Sequence, residues 1–468
     1  MLIFILHRVL LLVWSVAIVS TVYGTLVGLI HLRRKSILPE NSFARLKRRE
    51  LSVPDFELAP ISILKPLKGI DPGIEQNLES FFNLSYPDFE LLFSVADEHD
   101  AVIPTVRKLI ARHPAVKASL TVCSANSGPN PKINNLLSIY NDAKNDWVLI
   151  SDSNTRVPSH HLRRLAEQFR NGIAMQTSVV AGVDADGLGG LLESAFLNTF
   201  YARSVLALNT LGHPCVIGKS MLFRKSILER TGGLRALEVH IAEDYAAGRK
   251  LHQLGFRVQV SRDPIRQYIG PYSFQNFWSR HIRWGRLRKM QTPAGFTIEP
   301  LFNSILSGAL GAYAASSLFH VNPLAFLACH LAAWFTCDLL LYTRVADYPG
   351  MKFLPVWILR EILHFPLWIH IASGNTILWR GKEIRLVKPP TPLLPTFTLH
   401  GLQEFLRNPQ KHMNLDLLNP LDAITDAYSL FDEDWEQDLE TVTKPARSAL
   451  GQNGRIPAAQ KRPPEQRV

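Results

Sequence analysis

The amino terminus sets the first limit on what this chain can fold into. Residues 9–30 read VLLLVWSVAIVSTVYGTLVGLI and carry no charge. A run of about 20 apolar residues crosses a bilayer core. A cleaved signal peptide has a shorter apolar core and a small-x-small cleavage site. The reading is therefore an uncleaved transmembrane anchor over residues 9–30. Arg33, Arg34 and Lys35 follow it, then Arg45, Lys47, Arg48 and Arg49, against Arg8 alone in front. That bias predicts Met1 outside and the following domain in the cytosol.

A second membrane region is expected at residues 301–372, with two or three helices. Two apolar runs, 301–319 and 324–342, are joined by His320-Val321-Asn322-Pro323. A third, 353–372, carries Arg360, Glu361, His364 and His370. Ionisable groups at membrane depth are functional candidates by default. Adjacent Arg360 and Glu361 are expected on different sides of the helix. A bundle-packed span and a re-entrant segment both fit this run. Residues 389–468 open with Pro389-Pro390 and end polar and basic, which reads as a tail, partly disordered.

Between these regions lies a globular domain, residues 58–295. Short apolar strands at 61–64, 89–95, 119–123 and 147–150 alternate with helical patterns at 71–82, 101–112 and 133–142. Strand–helix alternation implies an α/β fold with a parallel sheet. Ligands in such sheets bind beyond the carboxyl ends of the strands. Lys65, Asp97 and Asp152 each stand just past a strand end, along one edge. No G-x-G-x-x-G or Walker A sequence is present, so a dinucleotide or P-loop site is not supported. Residues 187–211 are apolar but hold Glu193, Asn198 and Arg203, and read as an amphipathic membrane-associated helix, with a buried core helix as the rival.

Net charge is +11, and nothing resembles a nucleic-acid module, so the basic excess points to a membrane surface or to phosphate-bearing substrates. The four cysteines form no C-x-x-C pair, which indicates neither zinc nor a disulfide framework.

Candidate chemistry follows from residue type. Asp152, after Val148-Leu149-Ile150-Ser151, can ligate a hard divalent cation, or simply cap the next helix. Lys132, in Asn130-Pro131-Lys132-Ile133-Asn134-Asn135, opens a helix, a position that suits an anionic ligand or ordinary capping. Asp244, beside Glu243, can accept a proton, or serve as a favourably charged helix start. Arg280 and Arg283 can bind phosphate bidentately, or form an exposed basic face. Trp284 can stack on a ligand, or sit at a membrane interface.

Taken in order, Lys65-Pro66-Leu67-Lys68-Gly69-Ile70-Asp71, Asn130-Pro131-Lys132-Ile133-Asn134-Asn135-Leu136, Gly218-Lys219-Ser220, Ile241-Ala242-Glu243-Asp244-Tyr245 and Arg280-His281-Ile282-Arg283-Trp284 make a specific set. Together they resemble the ceramide glucosyltransferase family, with the resemblance running from about Leu58 to Arg385. The resemblance implies the GT-A (Rossmann-like) fold. It implies a metal-dependent, inverting transfer of glucose from UDP-glucose to the primary hydroxyl of ceramide, with Mn²⁺ or Mg²⁺. Asp97, Asp152 and Asp244 match the family's three aspartates, and Arg280, Arg283 and Trp284 its Gln/Arg-x-x-Arg-Trp motif. Asp244, Arg280, Arg283 and Trp284 are then catalytic. Lys65, Asp97, Lys132 and Asp152 hold the nucleotide sugar, and Asp152 the metal. Where the family often has a Ser-His-Pro-Arg-like stretch, this chain has Asn198-Thr199-Phe200-Tyr201-Ala202-Arg203. Transfer to a hopanoid, sterol or diacylglycerol, transfer of a different sugar to ceramide, a polysaccharide synthase and an inactive lipid-binding scaffold are the rival readings. The scaffold is disfavoured because every motif residue is kept, the synthase because the carboxy-terminal membrane region is small.

Overall fold

The computed structural model describes residues 1–32, 58–123, 128–169, 172–379 and 382–387. The basic run at 33–49 and the tail at 389–468 lie outside them.

Helix α1 (Leu2–His31) leads to β1 (Ile61–Pro66), α2 (Ile74–Phe82), β2 (Phe89–Val95), α3 (Ile103–Arg112), β3 (Lys117–Val122), α4 (Pro131–Asp142) and β4 (Trp147–Ile150). There follow β5 (Thr155–Arg156), α5 (His161–Gln168), β6 (Ile173–Asp186), α6 (Gly187–Phe196), a π-helical turn (Leu197–Tyr201) and α7 (Ala202–Thr210). Next come β7 (Met221–Arg224), α8 (Lys225–Glu229), α9 (Glu243–Gln253), β8 (Arg257–Pro271), α10 (Phe274–Gln291) and α11 (Pro293–Ile298). The chain continues through α12 (Ser304–Phe319), α13 (Pro323–Val345), α14 (Phe353–Ala372) and a hairpin, β9 (Thr376–Trp379) with β10 (Lys382–Arg385).

One eight-stranded sheet runs in the order β3-β2-β1-β4-β7-β6-β8-β5. Strands β3, β2, β1 and β4 are parallel, as the alternation implies. The sheet is mixed beyond that point, because β7 runs antiparallel to both β4 and β6. The long pair β6 and β8 is parallel and shifts register twice. Strand β1 is buried on both faces, which its run Ile61-Ser62-Ile63-Leu64 dictates once helices cover the sheet. Its order and the turn to β7 put the ends of β1 and β4 beside the loop that enters β7.

Helices α6 and α7 do not lie on a surface by one face. Leu192, Glu193, Ser194, Asn198, Thr199, Arg203 and Leu206 are all buried, so the core-helix reading replaces the amphipathic one. The polar residues in this run are internal fasteners. The Asn198 side chain accepts from Gly182 N–H at 2.8 Å and donates to Gly182 O at 2.9 Å, tying the turn to β6. Arg203 pairs with Asp338 of α13 at 2.5 Å.

Two helices, α1 and α13, are long and apolar enough to cross a membrane. Trp14 of α1 donates to His330 of α13 at 3.1 Å, and the other His330 ring nitrogen meets Ser304 O of α12 at 2.9 Å. Helix α14 departs from the expected separation of its two charges. Arg360 folds back onto Glu361, with Nε 3.1 Å from Oε1, and reaches Asp338 at 3.0 Å. Both side chains are long enough to bend into one buried quadrant. Glu361 also accepts from Asn303 at 2.9 Å and from Ser304 N–H at 2.8 Å. Burying these charges is tolerable only because each is paired and hydrogen-bonded. The opposite face of α14 carries Leu354, Ile358, Ile362, Phe365 and Ile369, all exposed, in one stripe at helical spacing.

Candidate active site

The site assembles where β4, the β7 loop, α4 and α9 meet. Asn130 caps α4, accepting from Lys132 N–H at 2.9 Å and Ile133 N–H at 3.2 Å, and Pro131 takes the first helical position. The Asn130 amide donates to His240 O at 2.7 Å and to Glu243 at 3.1 Å. One side chain thus locks the start of α4 to the start of α9.

That lock aligns a line of alternating charge. Lys132 Nζ lies 2.9 Å from Glu243 Oε1 and 2.9 Å from Asp152 Oδ1. The other Asp152 oxygen is 3.0 Å from Lys219 Nζ, which also donates to Asn154 at 2.6 Å. Burial works to raise the Asp152 pKa, but Lys132 and Lys219 outweigh it and hold the carboxyl well below its usual range. For Lys132, burial works downward and is overcome by Asp152 and Glu243, so its ammonium stays charged. Burial lowers the Lys219 pKa, and Asp152 opposes that.

Asp244 follows Glu243 in the first turn of α9. One of its oxygens accepts from Gly218 N–H at 2.8 Å, the other from Tyr245 N–H at 2.8 Å. Burial first, and the charge of Glu243 second, push this carboxyl up to about 6. Two neighbouring carboxylates therefore have separated roles: Asp152 stays ionised, while Asp244 titrates close to neutrality. Gly218 matters through close approach. A Cβ there would sit 2.8 Å from Lys132 Nζ and 3.2 Å from Asp244 Oδ2.

Arg280 of α10 faces this cluster from the membrane-helix side. Its Nε lies 3.2 Å from Glu193 Oε1, an ion pair out of hydrogen-bond alignment, and its guanidinium stands 4.4 Å from the Trp284 ring centroid. Burial lowers the Arg280 pKa, but Glu193 and Tyr272 more than restore it, and Asp152 adds to that field. Trp284 stacks on Tyr201, centroids 5.8 Å apart at 19°.

Three expected site residues stand apart from this line of charges. Lys65 is fully buried beneath the turn after β4. It donates to Asp152 O at 2.8 Å and Thr155 at 3.2 Å, and lies 3.6 Å over the Phe81 ring. It supports the Asp152 turn and has no open face for a nucleotide. Asp97 is exposed at the end of β2, accepting from His99 N–H at 2.9 Å. Arg283 stands 6.0 Å from the ring centroid of Trp379 of the hairpin. Conversely, Lys219, Glu243 and Glu193 complete the site. Lys219 and Glu243 stand inside the motifs already quoted, but their pairing across the fold has no local signature.

The donor set can be tested against a divalent cation. Among the described residues no group of three or more His, Cys, Asp or Glu side chains converges. Asp152 offers a hard carboxylate, partly accessible, with both oxygens on lysines. It becomes a ligand for a cation that shares substrate phosphates only once those lysines have turned to the phosphates, and it offers no all-protein cage.

The chain is a glycosyltransferase built on a mixed α/β sheet, with a helix long and apolar enough to cross a membrane on either side of that sheet in the sequence. The chain belongs to glycosyl transferase family 21, matched over residues 12–391. It is 31% identical over 339 residues to ceramide glucosyltransferase 1 of Caenorhabditis elegans, covering 71% of this chain and 73% of that protein. It is 29% identical to ceramide glucosyltransferase 3 of the same organism, over 79% and 81% of the two chains. Among solved structures, the mannosyltransferase PcManGT from Pyrobaculum calidifontis, in complex with GDP-Man and Mn²⁺, is 16% identical with a TM-score of 0.46, covering 79% of this chain and 100% of that one.

Proposed function

We propose that this chain moves glucose from UDP-glucose to the primary hydroxyl of ceramide, with inversion at the anomeric carbon. The observation that carries the reading is Asp244, a carboxyl pushed up to about 6, oriented by Gly218 N–H and beside Lys132, which is held on Asp152. Relatives at 25–31% identity named ceramide glucosyltransferase support the sugar and the acceptor.

Asp244 takes the hydroxyl proton of the acceptor. The freed oxygen pair forms the new bond to the anomeric carbon. The bond to UDP breaks on the opposite face, and its electron pair leaves on the β-phosphate. Asp244 then gives its proton to solvent. Lys132, which stays charged, and Lys219 turn from Asp152 to the phosphate oxygens as charge grows there. Prepositioned cations of this kind are the largest contributors in many transfer enzymes. Arg280 adds a third, with a planar fork suited to phosphate. Asp97, exposed at its strand end, contacts the uridine. Asp152, with ligands from the diphosphate, would hold Mn²⁺ or Mg²⁺. When bound, that cation neutralises the diphosphate and lowers the barrier to its departure.

The catalytic domain faces the cytosol, a reading supported by the basic residues after α1 and by the two helices long and apolar enough to span. The test is a reaction of the purified full-length chain with UDP-glucose, ceramide and either metal, followed by mass spectrometry and NMR of the linkage. β-Glucosylceramide is expected. Hexosylated hopanoid, sterol or diacylglycerol in place of hexosylceramide would replace the acceptor. No sugar transfer from UDP-glucose to any lipid would overturn the reading.

A further inference from the structure

Glu193 is a charge inside a helix that is otherwise packed as core. It is fully buried in α6, where an unpaired carboxylate would be too costly to keep. Its two oxygens go to two consecutive residues of α10. Oε2 lies 2.9 Å from His281 Nε2, and Oε1 lies 3.2 Å from Arg280 Nε. Burial works to raise the Glu193 pKa, but Arg280 and His281 outweigh it, so the carboxylate stays ionised and His281 is the donor. Burial holds His281 below its usual pKa, which leaves the ring neutral.

Consecutive residues of a helix point about 100° apart. One side chain that holds both therefore fixes α10 against rotation about its own axis. The His281 ring packs against Phe196 and Phe277, with centroids 4.4 and 4.2 Å away, so that end of the hold is rigid. Arg280 is the end that faces the site. Its Nε and Glu193 Oε1 have no aligned hydrogen-bond partner among the described residues, so charge draws them together. The Trp284 ring lies 4.4 Å from the guanidinium, and Gln267 Oε1 is 3.4 Å from one terminal nitrogen. A guanidinium carries five N–H donors, more than these contacts use, and the rest are left for a ligand. The fields show where the fork stands. Asp152 acts on Arg280, and both Arg280 and Glu193 interact with Lys219.

We propose that Glu193 is a positioning residue for the transfer, holding the Arg280 guanidinium in the line along which the diphosphate of the nucleotide sugar departs. The proposal rests on the glycosyl-transfer reading above, with Arg280 on the leaving phosphate. Glu193 itself touches neither donor nor acceptor. Two effects oppose each other when its charge is removed. The missing anion favours a bound diphosphate, while a loosened guanidinium meets the growing charge less well. The first acts in the ground state, the second in the transition state. Removing a preorganised donor altogether lowers kcat about 10²–10³-fold, so misaiming one corresponds to about tenfold.

The experiment uses the full-length chain in lipid nanodiscs with UDP-glucose and ceramide, and UDP binding by calorimetry reports that the donor site is folded. Glu193→Gln keeps the size of the side chain and an oxygen for His281. It is expected to lower kcat about tenfold, with UDP affinity retained or tightened and the ceramide KM unchanged. Arg280→Gln is expected to lower kcat about a hundredfold, and adding Glu193→Gln to it brings no further loss. A parent-like kcat in Glu193→Gln overturns the proposal. So does a tenfold loss that persists in the Arg280→Gln background, since Glu193 then acts through packing alone. If Glu193→Gln no longer binds UDP, Glu193→Asp takes its place in the same cycle. It keeps the charge but is one methylene too short to reach both α10 side chains, and a parent-like kcat there overturns the proposal equally. A wild-type chain that transfers no sugar fails at the proposed function, an outcome distinct from wild-type activity that is indifferent to Glu193.

Discussion

Asp244→Asn removes the proposed base with the smallest change of shape. The asparagine side-chain oxygen still accepts from Gly218 N–H, the contact made by Asp244 at 2.8 Å, while its NH2 group replaces the oxygen that accepts from Tyr245 N–H. The helix start and the β7 loop therefore keep their bond, and the lost acceptor costs about 1 kcal/mol, a small drop in the thermal midpoint. Catalysis does not survive in the same way. A positioned general base contributes about 10²–10⁴-fold, or ~3–5.5 kcal/mol at 1.36 kcal/mol per tenfold. The direction with pH follows from the raised carboxyl, pushed up to about 6. The base works only when deprotonated, so kcat/KM falls as pH drops through that value. One unit below it only about a tenth of the carboxyl is ionised, giving roughly tenfold less activity. In Asp244→Asn the residual rate loses that acid limb. The assay is glucosylceramide formation from pH 4.5 to 8.5, read by mass spectrometry, with a thermal scan for folding. Near-normal turnover by the folded variant, or an acid limb persisting at the same pH, refutes the role of Asp244.

Glu243→Gln should move the acid limb to lower pH, because Glu243 raises Asp244 and its charge is gone; the same pH profile checks it. Gly218→Ala puts a methyl where Lys132 Nζ is 2.8 Å away, so the ammonium must shift and the UDP-glucose KM should rise about tenfold in initial-rate titrations. Asp338→Asn strips a counterion from both Arg203 and Arg360, and should cost about 3–5 kcal/mol, read as a lower thermal midpoint in detergent.

Half of the sheet is legible in the sequence, for a physical reason. Strands β1, β2 and β4 are short, apolar and buried on both faces, so their runs stand out against the helices between them. Strands β6 and β8 are longer but carry Gln176, Thr177, Ser178, Gln259 and Ser261 in buried positions. Their register shifts also break any alternation a reader could follow. In the candidate site, Lys132 pairs with Asp152, Asp244 lies beside Lys132 at Gly218, and Arg280 stands in the field of Asp152. Lys65 and Arg283 do not join them, because residue type and order say nothing of which way a side chain turns. Lys65 is drawn under the Asp152 turn by Thr155 and Phe81, and Arg283 stands beside Trp379. Lys219 reaches Asp152 only because β7 pairs with β4 and brings the preceding loop alongside.

The pairing of Arg203 with Asp338 bears on how this enzyme can be divided. Arg203 belongs to a helix packed on the catalytic sheet, while Asp338, Arg360 and Glu361 belong to helices far later in the chain. Thr199 also receives the Arg360 guanidinium. A fragment cut after the globular domain would strip Arg203 of Asp338 and Trp334 and the Thr199 turn of its donor, and would uncover the apolar face of the helices that carry them. Catalytic and carboxy-terminal halves are thus one cooperative unit, and attempts to express the former by itself should give insoluble or partly unfolded protein.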